Sequence, residues 1–443
     1  MAGYTLDRTR RRVGFGTVVV LGTWAVWSAT PGLPFLWGPR ASAETKAAGL
    51  ALFEHEWEPH DPMAGGDGLG PVFNARSCAA CHFQGGVGGG GGNGHNVLTF
   101  EAHPTKDRPQ VQAGLIHAFA VEESAKEGHD ALRRLFPVVH DGARVERNCQ
   151  IVPIDFDPIR TEKVNSTALF GAGWVDLIPG KTIYHESMRK SLARVQRELG
   201  GVFEGVSGRP RVLPDGRVGK FGWKAQFATL EEFVAAACAN EIGLGNPGME
   251  QARPLGRSTA PSVDPDLDAT QFRSLVAFVK TLSRPGEVSP ESPTDSTQAA
   301  RGKALFTTVG CAECHTPDLG GVAGVYSDFM LHRIDARGDE SKYARGPTPD
   351  VPLPTDHPLP EEWKTPLLWG VADSSPYFHD GGSPNLRAAI LRHRGEASPI
   401  TEAFRALSAD EQSAVLAFLN TLKAPADAKP AGAGSRTDVA LAR

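Results

Sequence analysis

One pentapeptide pattern occurs twice in the sequence, and it limits the fold and the chemistry of the chain more than any other feature. Residues 78–82 read C-A-A-C-H and residues 311–315 read C-A-E-C-H. In a C-x-x-C-H segment the two thiols form thioether bonds to the vinyl groups of a haem, and the adjacent histidine ligates the iron. A zinc site would need paired ligand knuckles close together, and a thioredoxin-like thiol pair would need a βαβ setting that the sequence lacks. The sequence therefore predicts two covalently bound haem c groups, attached through Cys78, Cys81, Cys311 and Cys314, with His82 and His315 as proximal iron ligands.

The composition is that of a folded protein rich in loops. Of the 443 residues, 40% are hydrophobic and 22% are charged, which excludes a wholly disordered chain. The 50 glycines and 34 prolines exceed average usage and favour long ordered loops between short elements. The net charge is −5 and the basic residues are dispersed, so nothing indicates a nucleic-acid partner.

Each pentapeptide lies inside a repeated pattern of helices. The segment Gly49–Phe53 precedes the first, and Gly302–Phe306 precedes the second. Each half then closes with a similar apolar helix, Leu275–Leu282 or Val415–Leu422, and both closing helices begin with a capping-box pattern. A starting helix, an attachment loop and a closing helix describe a small cytochrome c domain. We therefore predict an all-α fold of two cytochrome c-like domains that arose by internal duplication.

The predicted boundaries follow from this repeat. Residues 44–285 form the N-terminal domain, 286–296 a linker, 297–425 the C-terminal domain and 426–443 a disordered tail. The first domain is nearly twice as long as the second, so it carries insertions. One is a glycine run, in which eight of the ten residues 85–94 are glycine, and which either approaches a flat cofactor closely or forms a loose surface loop. Another is a small β-hairpin insertion at Arg211–Gly222.

The N-terminus, residues 1–43, is predicted to be an export signal or an N-terminal anchor. Basic residues from Arg8 to Arg12 precede an apolar run, Val13–Ala29, and Ala41–Ala43 offers a small-residue cleavage site. The apolar run is shorter than the roughly 20 residues that a membrane-spanning helix needs, which favours cleavage over an uncleaved membrane anchor. We therefore expect a periplasmic or otherwise extracytoplasmic protein, whose only membrane contact would be that anchor.

Beyond the pentapeptides, several segments resemble the bacterial di-haem cytochrome c peroxidase superfamily, in particular its di-haem oxidoreductase/putative peroxidase branch. The resemblance spans about residues 50–425 and is carried by the segments Gly68–Asn74, Asn165–Asp176, Phe221–Ala225, Tyr326–Asp328 and Trp363–Ala397. It implies two cytochrome c domains that face each other with one haem in each. It also leaves open a calcium ion between the domains.

The resemblance implies a distal ligand for the second haem at His393, where the family's peroxidases have methionine. The alternative is a surface histidine on an amphipathic helix. The internal repeat aligns Trp223-x6-Leu230 with His379-x6-Leu386, and seven further residues lead to Ala237 in the first half and to His393 in the second. The first iron therefore lacks a ligand at the equivalent place and is the candidate peroxide-binding iron. Five other histidines remain candidate resting-state ligands of the first iron: His95, His103, His117, His129 and His140.

The same resemblance implies two candidate catalytic residues. Trp223 matches a tryptophan that bridges the two haems for electron transfer; the alternative is a packed core tryptophan. Glu241 matches an acid/base glutamate near the open haem face, but only if two residues are deleted, and the family's glutamine position is occupied by Phe233. A carboxylate beside bound peroxide would move a proton from one oxygen to the other.

The two cysteines outside the motifs, Cys149 and Cys238, leave three readings open. They form a disulfide, they are two buried free thiols, or Cys238 lies over the first haem beside Ala237.

The function that these observations favour is that of a peroxidase-like oxidoreductase. Its first haem would react with hydrogen peroxide, and its second would relay electrons from a small redox protein or another one-electron donor. The alternatives are a non-catalytic electron-transfer cytochrome and an oxidase of a protein or thiol substrate.

Overall fold

The computed structural model describes residues 38–139, 144–147, 150–153, 155–199, 206–257, 264–334 and 351–432. The predicted export signal lies almost entirely outside these residues. Within them, no helix has both the length and the apolar character needed to cross a membrane. The α-helices, in chain order, are α1 Ala43–Glu54, α2 Cys78–Cys81, α3 His129–Leu135, α4 Ala172–Leu177, α5 Gly180–Leu199, α6 Leu230–Ala237, α7 Ala269–Lys280, α8 Pro293–Val309, α9 Leu386–Arg392, α10 Ser398–Ala406 and α11 Ala409–Leu419.

The repeat appears as two helix pairs, α1 with α7 and α8 with α11. Each helix pair requires a glycine where the two helices cross. A Cβ atom at Gly49 would lie 2.0 Å from the Ser274 carbonyl oxygen, and a Cβ atom at Gly302 would lie 1.8 Å from the Ala414 carbonyl oxygen. The predicted capping boxes of α7 and α11 are confirmed, as both reciprocal hydrogen bonds are present in each. Each pair therefore brackets one attachment motif with the same close helix contact.

The prediction of an all-α fold is only partly right, because the molecule is mostly helical with small sheets. The largest sheet has three antiparallel strands, in the order β3 (Gln112–Ile116), β2 (Val97–Ala102) and β7 (Ile159–Val164). It packs over a small apolar cluster that includes Phe100, Leu132 and Phe136. The strands are β1 Val72–Phe73, β2 Val97–Ala102, β3 Gln112–Ile116, β4 Phe119–Ala120, β5 Arg144–Arg147, β6 Gln150–Pro153, β7 Ile159–Val164, β8 Gly286–Glu287, β9 Leu331–Arg333, β10 Glu362–Lys364 and β11 Leu422–Lys423.

The predicted hairpin insertion folds as a tight turn, in which Val212 and Val218 form a β-bridge and the Gly216 amide donates to the Leu213 carbonyl. The predicted linker is more ordered than expected, since β8 pairs with β11 and α8 already begins at Pro293.

The predicted disordered tail also begins in an ordered form. The Val87 amide donates to the Lys429 carbonyl oxygen, and the Lys429 ammonium pairs with Glu54 at 2.7 Å. The largest buried cluster likewise joins the two halves, since Leu52 and Leu275 from the first share it with Val322 and Phe329 from the second.

Candidate haem sites

The second attachment motif follows directly on α8. The helix ends at Gly310, whose φ of 106° lies in the left-handed region that glycine adopts freely, and Cys311–Glu313 form a tight 3-10 turn. The His315 Nδ1 atom hydrogen-bonds the Tyr326 carbonyl oxygen at 2.9 Å. Burial lowers the pKa of His315 to about 4, so the ring is neutral, donates from Nδ1 and keeps Nε2 available for iron.

The structure places His393 opposite His315. His393 follows the last residue of α9, and its Nδ1 hydrogen-bonds the Ala389 carbonyl oxygen at 2.8 Å. The two ring centroids are 6.5 Å apart. A metal–imidazole bond is about 2 Å long and the ring centre lies roughly 1 Å beyond the nitrogen, so an ion ligated from both sides would place the centres about 6 Å apart. The two rings therefore fit a pair of axial ligands.

A large cavity surrounds this histidine pair and is lined by residues from both halves of the chain. Its lining is mainly apolar and includes Phe306, Leu368 and Val415. Three buried nitrogens of the lining residues, Trp363 Nε1, Trp369 Nε1 and His379 Nδ1, have no hydrogen-bond partner among the described residues. A mainly apolar porphyrin with two carboxylates fits such a cavity, because it fills apolar space and offers acceptors to orphaned donors.

The first attachment motif repeats the local geometry of the second. Ser77 caps α2, and the His82 Nδ1 hydrogen-bonds the Gly89 carbonyl oxygen at 2.9 Å. The ring of Phe53 lies 6.3 Å from that of His82, just as Phe306 lies 6.4 Å from His315. Burial lowers the pKa of His82 as well, so this ring is also neutral.

The glycine run supports His82 rather than forming a loose loop. Residues 86–91 are buried, and the Gly88 amide donates to the His82 carbonyl oxygen. A Cβ at Gly89 would lie 1.7 Å from the Gln84 carbonyl oxygen, so the loop closes on itself only with glycine at this position. The run therefore fixes the carbonyl that orients the His82 ring.

Helix α6 of the first half corresponds to α9 of the second. Thr229 caps α6 and Asn385 caps α9, and the eighth residue after each cap is Ala237 or His393. The residue alignment inferred from the repeat thus agrees with the helix starts. Ala237 has no side-chain ligand for iron, so the first half lacks the group that His393 provides in the second.

A π-helical turn, Cys238–Ile242, continues α6 and carries Glu241. Such turns occur often at functional sites because they change the register of the following side chains. The Asn74 side-chain amide donates to Glu241 Oε2 at 2.8 Å. Burial raises the pKa of Glu241 above its ordinary value of 4.5, although the Asn74 hydrogen bond and His117 oppose this rise. Burial raises the pKa of the Cys81 thiol, and the nearby Glu241 carboxylate raises it further.

Cys238 lies at the same site. It is a buried free thiol. Burial raises the pKa of Cys78, and the nearby Cys238 raises it further. Cys149 lies outside the described residues. Of the readings left open by the sequence, the structure therefore favours a Cys238 thiol near the first motif.

The remaining candidate ligands of the first iron differ in their surroundings. Both ring nitrogens of His117 are engaged, Nδ1 by Glu127 at 2.8 Å and Nε2 by the Asn240 carbonyl oxygen at 2.9 Å, which excludes it as a ligand in this conformation. His95 lies 3.9 Å from Cys81 Sγ, measured from its Nδ1. His103 bonds the adjacent Pro104 carbonyl, and His129 is exposed. His140 is outside the described residues.

The segment Asn165–Thr167 separates the first motif from the cavity of the second. The Asn165 carbonyl accepts a hydrogen bond from Trp223 Nε1 at 2.8 Å, and its side-chain amide donates to Gly91 at 3.0 Å. The Thr167 backbone lies close enough to the His82 ring to affect its pKa, and both Thr167 and Trp223 line the cavity. Trp223 also contacts the stacked rings of Trp363 and His379, with centroid distances of 6.4 and 6.3 Å. One segment thus joins the surroundings of the His82 ring to Trp223.

Residues 299–423 match the family model for cytochrome c. The chain contains a cytochrome c domain. A cytochrome c domain binds haem c covalently, and Cys311, Cys314 and His315 lie within the matched residues.

The same chain is distantly homologous to di-haem peroxidases. Over 164 residues it is 26% identical to cytochrome c551 peroxidase of Nitrosomonas europaea. The alignment covers 34% of this chain and 42% of the relative, so it spans less than half of that protein's length.

Three solved structures are similar at low scores. Hydrazine synthase of Kuenenia stuttgartiensis has a TM-score of 0.40 at 15% identity, covering 94% of this chain and 100% of its own. A MauG-like protein associated with microbial copper homeostasis has a TM-score of 0.37 at 15% identity, covering 87% of this chain and 92% of its own. The di-haem peroxidase BthA of Burkholderia thailandensis has a TM-score of 0.38 at 14% identity, covering 90% of this chain and 92% of its own. Because all three scores are low, the function proposed below rests on the geometry of this chain.

Proposed function

We propose that the chain is an extracytoplasmic di-haem c-type cytochrome that acts as a peroxidase-like oxidoreductase. One haem would be attached at Cys78 and Cys81 in an N-terminal domain, residues 44–285, and the other in a C-terminal domain, residues 297–425. The observation that carries the proposal is the asymmetry of the two sites. His393 faces His315 at a ring separation of 6.5 Å, whereas the position that matches it in the first half is Ala237.

The first site would be the site of peroxide reduction. When bound there, a haem supplies an iron with an open position and a path for electrons. The overall reaction consumes hydrogen peroxide, two electrons and two protons and yields two molecules of water. Breaking the O–O bond requires that the oxygen that leaves as water is protonated.

Glu241 would move this proton. As a carboxylate it accepts a proton from one peroxide oxygen, and as a carboxylic acid it returns the proton to the other. Burial raises its pKa toward the working pH, which favours a group that both takes up and releases a proton. The hydrogen bond from Asn74 holds one carboxyl oxygen and so orients the group.

The second site would relay electrons. With a histidine on each side, the iron there would be six-coordinate and would not bind peroxide. Trp223 would carry electrons onward from the second cavity, since it lines this cavity and hydrogen-bonds the segment that reaches the His82 ring. Hydrogen peroxide and a small one-electron donor are therefore the proposed partners. A calcium ion between the halves stays a prediction.

The absorption spectrum of the ferric holoprotein tests this division of roles. The expected result is one high-spin haem whose bands shift on addition of peroxide and one low-spin haem whose bands do not. Two low-spin haems that both remain unchanged would contradict the proposal and indicate a plain electron-transfer cytochrome.

A further inference from the structure

Helix α5 carries an apolar stripe that is exposed to solvent. Tyr184, Met188, Leu192 and Val195 are exposed to 49%, 62%, 61% and 43%. They are spaced by four, four and three residues, so they lie on one face of the helix. A contiguous exposed apolar face on a folded protein is a mark of an interaction site, whereas single exposed apolar residues need no explanation.

The opposite face of α5 lies against the second attachment motif. Lys190 is buried, and its ammonium donates to the carbonyl oxygen of Glu313, which lies between the two attachment cysteines of that motif. The same ammonium pairs with the buried Asp328 at 2.7 Å, which fixes the helix in place. The stripe is thus separated from the second motif by about the diameter of one helix, roughly 10–12 Å.

The stripe is small and has basic residues beside it. From Tyr184 to Val195 it is roughly 16 Å long at about 1.5 Å per residue, so its area is on the order of 200 Å². A stable dimer buries about 800 Å² on each partner, whereas brief redox encounters bury the least. Lys181 and Arg189 are exposed beside the stripe. Because Arg189 pairs with Glu186 at 2.6 Å, Lys181 contributes most of the positive charge that would attract an acidic partner.

We propose that this stripe is where an electron donor docks: a small, acidic redox protein with an apolar surface around its own redox centre. It would deliver electrons one at a time through α5 to the second haem. This inference rests on the proposed function, because it requires that the second haem is loaded from outside.

The test measures reduction of the second haem in the full-length ferric holoprotein by stopped-flow absorbance. The protein donor is a reduced, acidic monohaem cytochrome c, and ascorbate serves as a small-molecule donor that needs no docking. The variants are M188E and L192E. The matched control is M63E, because Met63 is also exposed, to 41%, but lies outside α5, in the loop that follows α1.

We expect M188E and L192E to lower the second-order rate with the protein donor by about tenfold, as removal of a central contact does. The ascorbate rate should stay unchanged, and M63E should behave like the wild type. The rate with the protein donor should also fall as salt is added.

An unchanged rate with the protein donor would overturn the docking surface, as would an equal fall with ascorbate. Self-association or binding to anionic phospholipid vesicles that M188E abolishes, with donor rates unchanged, would assign the stripe to a second copy or to a membrane instead. The proposed function fails separately, if ascorbate-reduced wild-type protein is not reoxidised by peroxide.

Discussion

The ring centroids of His315 and His393 lie 6.5 Å apart, and each ring is held by a hydrogen bond from its Nδ1 to a backbone carbonyl oxygen. A carbonyl partner on Nδ1 fixes the tautomer and the ring orientation, and leaves Nε2 to act as a ligand. The protein thus holds both imidazoles in the orientation that two ligands of one metal ion would need.

Replacing His393 with methionine is expected to raise the reduction potential of the second haem, because a thioether ligand raises the potential relative to imidazole. A redox titration followed by absorbance measures this change. The matched control is His129→Met, which alters an exposed histidine and should leave both potentials as they are. If the potential of the second haem in His393→Met equals that of the wild type, His393 is not its ligand.

Replacing Glu241 with glutamine is expected to slow the reaction with peroxide by about 10²–10⁴-fold, because the amide cannot transfer the proton. Stopped-flow mixing of the reduced protein with peroxide measures this rate. Haem content and both potentials should remain unchanged. The matched control, Glu250→Gln, removes an exposed carboxylate and should have no effect.

The same rate should depend on pH in the wild type. The carboxylate form of Glu241 accepts the first proton, and this form is lost as the pH falls through its pKa. Because burial raises that pKa, the rate should begin to fall at a pH above 4.5, the ordinary value for glutamate. A rate that stays flat down to pH 4.5 would argue against this role.

Replacing Trp223 with phenylalanine is expected to slow electron transfer between the haems. The variant also leaves the Asn165 carbonyl without its partner, which should cost about 1–3 kcal/mol of stability. Reoxidation of the second haem after a peroxide pulse measures the transfer rate. Trp174→Phe is the control, since Trp174 is only partly buried and does not line the cavity. An unchanged transfer rate in Trp223→Phe would make Trp223 an ordinary packing residue.

The buried ion pairs beside the second motif predict a loss of stability in acid. Burial alone would raise the pKa values of Asp328 and Glu396. His332 and Lys190 nevertheless hold the pKa of Asp328 well below its ordinary value. His332 likewise lowers the pKa of Glu396 to about 2. Carboxylates with lowered pKa values stabilise the fold fully above their unfolded values, 3.8 and 4.5, and lose this contribution as the pH falls toward 2.

Urea unfolding of the holoprotein between pH 6 and pH 3 measures this effect. The free energy of unfolding should decline with acidification in the wild type and decline less steeply in Glu396→Gln. Equal slopes in the two proteins would show that Glu396 does not contribute.

Much of the helical framework follows from local patterns in the sequence. Capping boxes and the repeated G-x-x-x-F segments involve residues three or four positions apart, and these indicate α7 and α11 and the helices before each motif. Local patterns do not predict the sheet β3-β2-β7, because it pairs Val97 with Val164 and no local pattern specifies so distant a partner.

The candidate site was predictable to a similar extent. The family resemblance implies His393, and counting along the repeat then leads to Ala237. Asn74 and Asn165 did not stand out, because a single asparagine in a loop has no periodic or spacing signal. Their importance comes from tertiary contacts with Glu241 and Trp223.

The carbonyl of Lys429 is the backbone partner of Val87, in the loop that positions His82. A polypeptide is synthesised from its N-terminus, so this loop acquires that partner only after the second motif, residues 311–315, has also been made. The loop at His82 is translated first, but one of its backbone partners is translated after the later motif.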